Sequence, residues 1–360
     1  MCVRCATADR LALVADARDV ADALLGRYLR LDVAKAMNLG TPGGFDRAVV
    51  RLARLLQGRA ADSDHAAVKA AVEVLDVDWH RTTAEQRRSL IARALEASGR
   101  KTKEVPAKVQ TVFGNAATEV VRATRDGARH DQKLAIGADF NAVDQRVIRH
   151  LRSSQANYVR DEYGRRHDAF GEEARRIVSE GLESGLGRDD IAEDLAEAAE
   201  GIIAGRSPAY WDVVAGSFVG RGRSFSQLSA YAEAAITRYR IVAVLDEVTT
   251  PTCRFLDGKT FSVSRGLELF DRVEANPDSI EELNPWVRDT VDPATGKRSL
   301  SIERGGERIS IADIVRSGVG ARDDRGEFSR GLGERELGDL GVGFPPYHGL
   351  CRTTTVAEVE

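Results

Sequence analysis

No stretch of this chain stays apolar for the ~18 residues that a membrane-spanning helix needs, so no transmembrane segment is expected. Aromatic residues are scarce, at 6%, while Ala, Arg, Glu, Asp and Leu dominate, a mix that favours helix. Basic excess is lacking too. Lys and Arg number 52 against 56 Asp and Glu, for a net charge of −4. Dedicated nucleic-acid binders usually carry a basic surplus, so any contact with DNA would rest on local faces. Four cysteines in 360 residues do not make a disulfide scaffold. The six histidines form no HExxH, and no G-x-S-x-G elbow is present. Met1-Cys2-Val-Arg-Cys5 is followed by Asp9 and Arg10 without an apolar run of signal-peptide type, so the expectation is a protein made and kept in a cytoplasm. Cys2 and Cys5 form a lone CxxC, read as incidental thiols at a chain end.

What is present is ordinary for a core-forming protein: 42% hydrophobic and 30% charged residues, at a length that suits two or three domains. Apolar residues at helical spacing mark residues 9–39, Phe45 to Gln57, Asp64 to Leu75 and 104–125. Thr82 or Thr83, with Glu85 or Gln86 three residues on, predicts a capping box. The longest helix is expected from Phe140 to Gly185, with a kink at Gly164 or Gly171. Asp189 or Asp190 caps a helix through Ile202, and Ser207-Pro208 opens another to about Ala235. Arg165-Arg166-His167 and Arg175-Arg176, interleaved with acidic residues, read as an exposed or partner-contacting face. Gly220-Arg-Gly222-Arg reads as a kink or a close helix contact, with Arg221 and Arg223 on a solvated face.

The texture changes at Ile236. Thr237 to Asp246 alternates β-branched and aromatic residues and predicts a strand that runs into a tight turn carrying Cys253. Lys259 to Val263 predicts a second strand, with Asp257-Gly258 as the turn before it, and residues 299–311 predict a hairpin around Gly305-Gly306. Residues 271–298 and 316–344 read as polar loops. The expected fold is α+β and predominantly α-helical. Its parts are a helical region at 1–130, a long-helix region at 131–235 and a small module with antiparallel strands at 236–360.

Chemistry-bearing residues gather in that module. Cys253 stands 98 residues before Cys351, and His348 precedes Cys351 by one short turn. Three readings stand. The set holds a metal such as zinc, with Asp246 or Asp257 as fourth ligand. Alternatively Cys253 and Cys351 form a disulfide, or the thiols simply pack as small hydrophobes. Each reading ties the chain near 351 back onto the module. Asp246 and Arg352 are candidates for an ion pair.

Asp246, Thr249, Cys253, Leu256 and Gly258, followed much later by Pro345, Pro346, His348, Cys351 and Arg352, resemble the pattern of the phage head morphogenesis family, the Mu F-like minor head proteins. The resemblance runs from about residue 140 to 360 and is sharpest over 238–263 and 343–353; residues 1–130 lie outside it. Many members carry cysteine where this chain has Thr250 and Thr353, so two sulfur ligands of that pattern are missing here. The resemblance implies a non-enzymatic minor capsid protein that binds the portal and other head proteins and acts in head assembly. It implies residence in the host cytoplasm and then in the virion, with no membrane and no small-molecule substrate. Two alternatives come from other classes: a Cys-His hydrolase using Cys351 or Cys253 with His348, and a DNA-binding structural head protein.

Overall fold

The computed structural model describes residues 38–205 and 207–358. The helix expected over residues 9–39 and the Cys2/Cys5 pair fall almost wholly outside the described residues. The chain is a predominantly helical α+β protein, with long helices first and antiparallel strands after residue 237.

Helix α1 (Pro42–Leu75) starts where Thr41 accepts from the Gly44 N–H and Pro42 occupies the first turn. Two helices were expected here, and the structure has one. The polar residues between them do not break it because they find partners: Lys108 donates to Ser63 Oγ at 2.8 Å, and Tyr163 donates its hydroxyl to Asp64 at 2.7 Å. Helix α2 (Ala84–Thr102) begins at the Thr83–Gln86 capping box, with reciprocal bonds of 3.2 and 2.8 Å. Helix α3 (Val105–His130) follows after two residues. Helix α4 (Ala142–Glu183) is capped by Asn141 and Asp144 and continues as one helix through Gly164 and Gly171. Helix α5 (Arg188–Ala199) is capped by backbone at Gly187, whose N–H is taken by Asp190, and passes into one π-type turn, Glu200–Ala204.

Helix α6 (Ser207–Glu233) is the axis of the molecule, buried on nearly every side from Val214 onward. Its glycines mark the close helix contact rather than the kink: a Cβ at Gly222 would lie 2.8 Å from Val120 on α3 and 2.9 Å from Leu151 on α4. Arg223 is not on a solvated face. It is 2% exposed, over the Phe45 ring at 4.4 Å, with its guanidinium donating to main-chain carbonyls. The charged face of α4 divides similarly. Arg165, Arg175 and Arg176 are exposed and paired with glutamates, whereas Arg166 is 1% exposed and donates to the Ile203 carbonyl.

Three short strands form the first sheet in the order β2 (Thr260–Ser262), β1 (Arg238–Val242), β7 (Thr354–Glu358), all antiparallel. Strand β7 was not expected. Its Thr-rich sequence becomes a strand through its register, Val242 opposite Thr354 and Arg238 opposite Glu358. Between β1 and β2 lies the one-and-a-half-turn helix α7 (Pro251–Leu256), and α8 (Val263–Ala275) follows β2. A 3₁₀ turn at Pro277–Ser279 leads into the single turn α9 (Ile280–Leu283).

The second sheet is an antiparallel meander: β3 (Arg288–Val291), β4 (Arg298–Arg304), β5 (Glu307–Arg316) and β6 (Glu327–Ser329). Gly305 and Gly306, both at positive φ, close the β4–β5 hairpin as expected. Helix α10 (Glu334–Asp339) completes the set. Segments read as loops thus hold the end of α8, a 3₁₀ turn, α9, β3, β6 and α10; their charged residues cover the outer face while Val273 and Leu337 pack inward.

Two apolar cores result. The larger joins the first half of α1, α3, the first half of α4 and α6 to both sheets, and so crosses residues 130 and 235; the smaller joins the far halves of α1 and α4 to α2 and α5. Among the described residues, no helix is long and apolar enough to cross a membrane.

Candidate functional site

Antiparallel pairing of β1 with β7 dictates where the site forms. Val242 ends β1 opposite Thr354, which starts β7, so residues after 242 and residues before 354 leave the same end of the sheet. Residues 243–257 and 345–353 therefore converge, and the two halves of the sequence pattern meet there.

The first half is not a strand end with a thiol in a turn. Strand β1 stops at Val242, and Asp246 lies in a turn built by its own side chain: Oδ1 accepts from Val248 N at 3.2 Å and from Thr249 Oγ1 at 2.7 Å. Cys253 sits on α7, whose N-cap is Thr250, with Pro251 in the first turn. Leu256 is fully buried, and Gly258 takes φ +81°, the turn conformation its position predicted.

The second half lies along α6. Pro346 rests on Gly220, 3.2 Å from where a Cβ would stand, and the Gly349 carbonyl oxygen occupies the space a side chain at Gly216 would need. The Cys351 N–H donates to the His348 carbonyl at 3.2 Å, forming a turn that carries both side chains.

The sulfurs of Cys253 and Cys351 are 3.8 Å apart, and His348 Nε2 lies 3.3 Å from Cys253 Sγ and 3.3 Å from Thr250 Oγ1. Both thiols are buried and free, at 4% and 0% exposure, while His348 is half-buried. At 3.8 Å the sulfurs are not bonded, since a disulfide needs about 2.0 Å. Cys253 is pushed well above its ordinary range, by its hydrogen bond with Cys351 and then by burial. Burial also raises Cys351, but the Cys253 hydrogen bond, the pull of His348, a backbone bond from Tyr347 and the Thr353 hydroxyl together bring it well below. The pair is thus a thiol donating to a neighbour with thiolate character.

Asp246 and Arg352 form the expected ion pair, with Nη2 at 2.8 and 2.6 Å from the two carboxylate oxygens. Burial raises the Asp246 carboxyl, but the Thr249 hydroxyl and Arg352 outweigh it and hold it below the usual range. Neither Asp246 nor Asp257 joins the Cys/His group. Among the described residues, Cys253, His348 and Cys351 alone form a cluster of three such ligands, with donor atoms within 4.8 Å of one another. Asp257 instead accepts from Ala243 N at 3.0 Å and pairs with Arg325 at 3.1 Å.

Two buried arginines have roles that the sequence did not announce. Arg223 donates to the carbonyls of Leu39, Arg352 and Thr353, tying α6 to the start of α1 and to the residues that follow Cys351. Arg254, next to Cys253, donates to the carbonyls of Thr249, Asp246, Ala321 and Asp324 and fastens residues 317–326 against α7. Their partners are distant main-chain carbonyls, which no local pattern announces. Thr250 and Thr353 also touch the thiols, at the positions where the resemblance expects sulfur.

No family model matches this chain, and neither a curated protein nor a solved structure is significantly similar to it.

Proposed function

We propose that this chain is a minor head protein of a phage or prophage, a non-enzymatic part that docks on the portal through its strand-containing module during head assembly. One observation carries this reading. Asp246, Thr249 and Cys253 lie far from His348, Cys351 and Arg352 in sequence, yet one fold gives them mutual contacts: the ion pair, the thiol pair and the imidazole. A pattern shared with the Mu F-like proteins is in this way a structural unit, a clasp that closes the module. The clasp favours a structural over a hydrolytic role, because both thiols are buried and hydrogen-bonded to each other, whereas reactive cysteines are partly exposed.

The test is co-expression with the portal protein that this reading expects in a neighbouring gene, followed by affinity capture and size exclusion. Co-elution with the portal ring is expected. A chain that never associates with portal or procapsid would remove the proposal. The DNA-binding alternative predicts affinity that falls steeply with salt; absence of binding at low salt would exclude it.

A further inference from the structure

The cluster of Cys253, His348 and Cys351 has a geometry that simple packing does not require. Tetrahedral zinc, with Zn–S near 2.3 Å and Zn–N near 2.0 Å, sets two sulfur ligands about 3.8 Å apart and sulfur and nitrogen about 3.5 Å apart. The corresponding separations here are 3.8 Å for the sulfurs and 3.3 Å for Cys253 Sγ to His348 Nε2. We propose that these three side chains bind one zinc ion, with the fourth coordination position left to water and facing a groove.

Three features support this beyond the distances. The ligands are already placed by structure that exists without metal: Cys253 on a capped helix, His348 and Cys351 on one hydrogen-bonded turn. Two thiolates with a neutral imidazole give a zinc complex of zero net charge, which can be buried without a counter-ion. Coordination exchanges whatever thiol protons remain for metal–sulfur bonds and releases them to solvent. Lastly, among the described residues no fourth strong donor joins the group. Asp246 is held by Arg352 and Asp257 by Arg325, while the Thr250 hydroxyl lies 3.3 Å from His348 Nε2. Cys253, His348, Thr250 and Thr353 line a groove of about 590 Å³ that also reaches Asp212 and Leu350. Water can enter the fourth position from that side, so the site is of the open type rather than a closed structural one.

A thiol–thiol hydrogen bond gives the same sulfur spacing, and metal analysis separates the two. The experiment uses the full chain with Cys2→Ser and Cys5→Ser, so that the lone CxxC adds nothing. It is purified without chelator, and zinc is counted by mass spectrometry; cobalt(II) is then titrated into chelator-treated protein. One zinc per chain is expected, with a thiolate-to-cobalt charge-transfer band that His348→Ala weakens. Thr250→Cys supplies the missing fourth donor and is expected to tighten zinc binding roughly tenfold or more. Reduced protein that takes up neither zinc nor cobalt would overturn the proposal, as would a Cys253–Cys351 disulfide in protein prepared without oxygen. Should His348→Ala fail to fold, the metal count on the parent chain and the gain with Thr250→Cys still decide. The measurement needs no portal, so its failure is distinct from failure of the head-protein reading.

Discussion

Replacing Arg223 with methionine tests how the chain beyond residue 350 is held. The guanidinium is fully buried and its pKa is pulled down to about 10 by that burial, so the protein bears a desolvation cost to keep it. In return Nη1 donates to the Leu39 carbonyl at 3.1 Å, and Nη2 to the Arg352 and Thr353 carbonyls at 3.2 and 2.6 Å. Methionine fills similar volume and removes the buried charge, which by itself is favourable. It also strands three carbonyls that cannot leave the interior, at about 1–3 kcal/mol each. Half-relief by rearrangement brings that to about 3 kcal/mol, and the recovered desolvation reduces it to a net loss of about 1 kcal/mol. Arg223→Lys keeps the charge without the fork and should fall between the two. Urea unfolding followed by circular dichroism reads the difference as a shift in midpoint at constant slope. An Arg223→Met protein as stable as the parent, or more stable, would refute the reasoning, because the carbonyls would then have found other donors and the arginine would not be the tie.

Acid should weaken the larger core through His150. Burial and then the charge of Arg221 lower its pKa from 6.5 to about 4, against a smaller opposing pull from Glu274, and its Nδ1 has no hydrogen-bond partner. The unfolded chain takes up the proton first, so the stabilisation is complete above pH 6.5 and is lost as pH falls through about 4, for a total of about 3 kcal/mol. His150→Phe should flatten that part of the pH–stability curve; an unchanged slope would argue against it. Gly216→Ala is expected to cost about 1–3 kcal/mol, since its Cβ would collide with the Gly349 carbonyl, and thermal melting measures it. A double-mutant cycle with Asp246→Asn and Arg352→Met should give a coupling of about 1 kcal/mol, the pair being 18% and 20% exposed. Because the Asp246 carboxyl is held below its ordinary value, that coupling is present at neutral pH and fades as pH falls below about 4; coupling that persists in acid would contradict the pairing.

Some boundaries were legible because their signals are local. Thr83 with Gln86 in the helical part and the Gly305-Gly306 turn in the strands each state a boundary through neighbours within four residues. Errors arose where a distant partner decides. Ser63 and Asp64 look like a helix break until Lys108 and Tyr163 reach them, and Thr354–Glu358 has no reason to be a strand except the open edge of β1. Charges scattered over 263–275 concealed an amphipathic helix whose Val263, Leu269, Phe270 and Val273 face the core. At the site, Cys253, His348 and Cys351 were visible as ligand types, and Asp246 with Arg352 as opposite charges. The contacts of Arg223, Arg254, Thr250 and Thr353 were not, because each acts on groups that only the fold brings near.

The order of strands carries a consequence for synthesis. Strand β1 is the middle of its sheet, yet its partner β7 is made more than a hundred residues later, between Val242 and Thr354. At about 5–20 residues per second, the ribosome leaves that edge unpaired for on the order of ten seconds. The helices ahead of it, built on contacts nearer in sequence, form meanwhile. The nascent chain therefore emerges with a finished helical scaffold and an unshut clasp: Cys253 waits in place, and the segment that brings His348 and Cys351 is the one that closes the sheet.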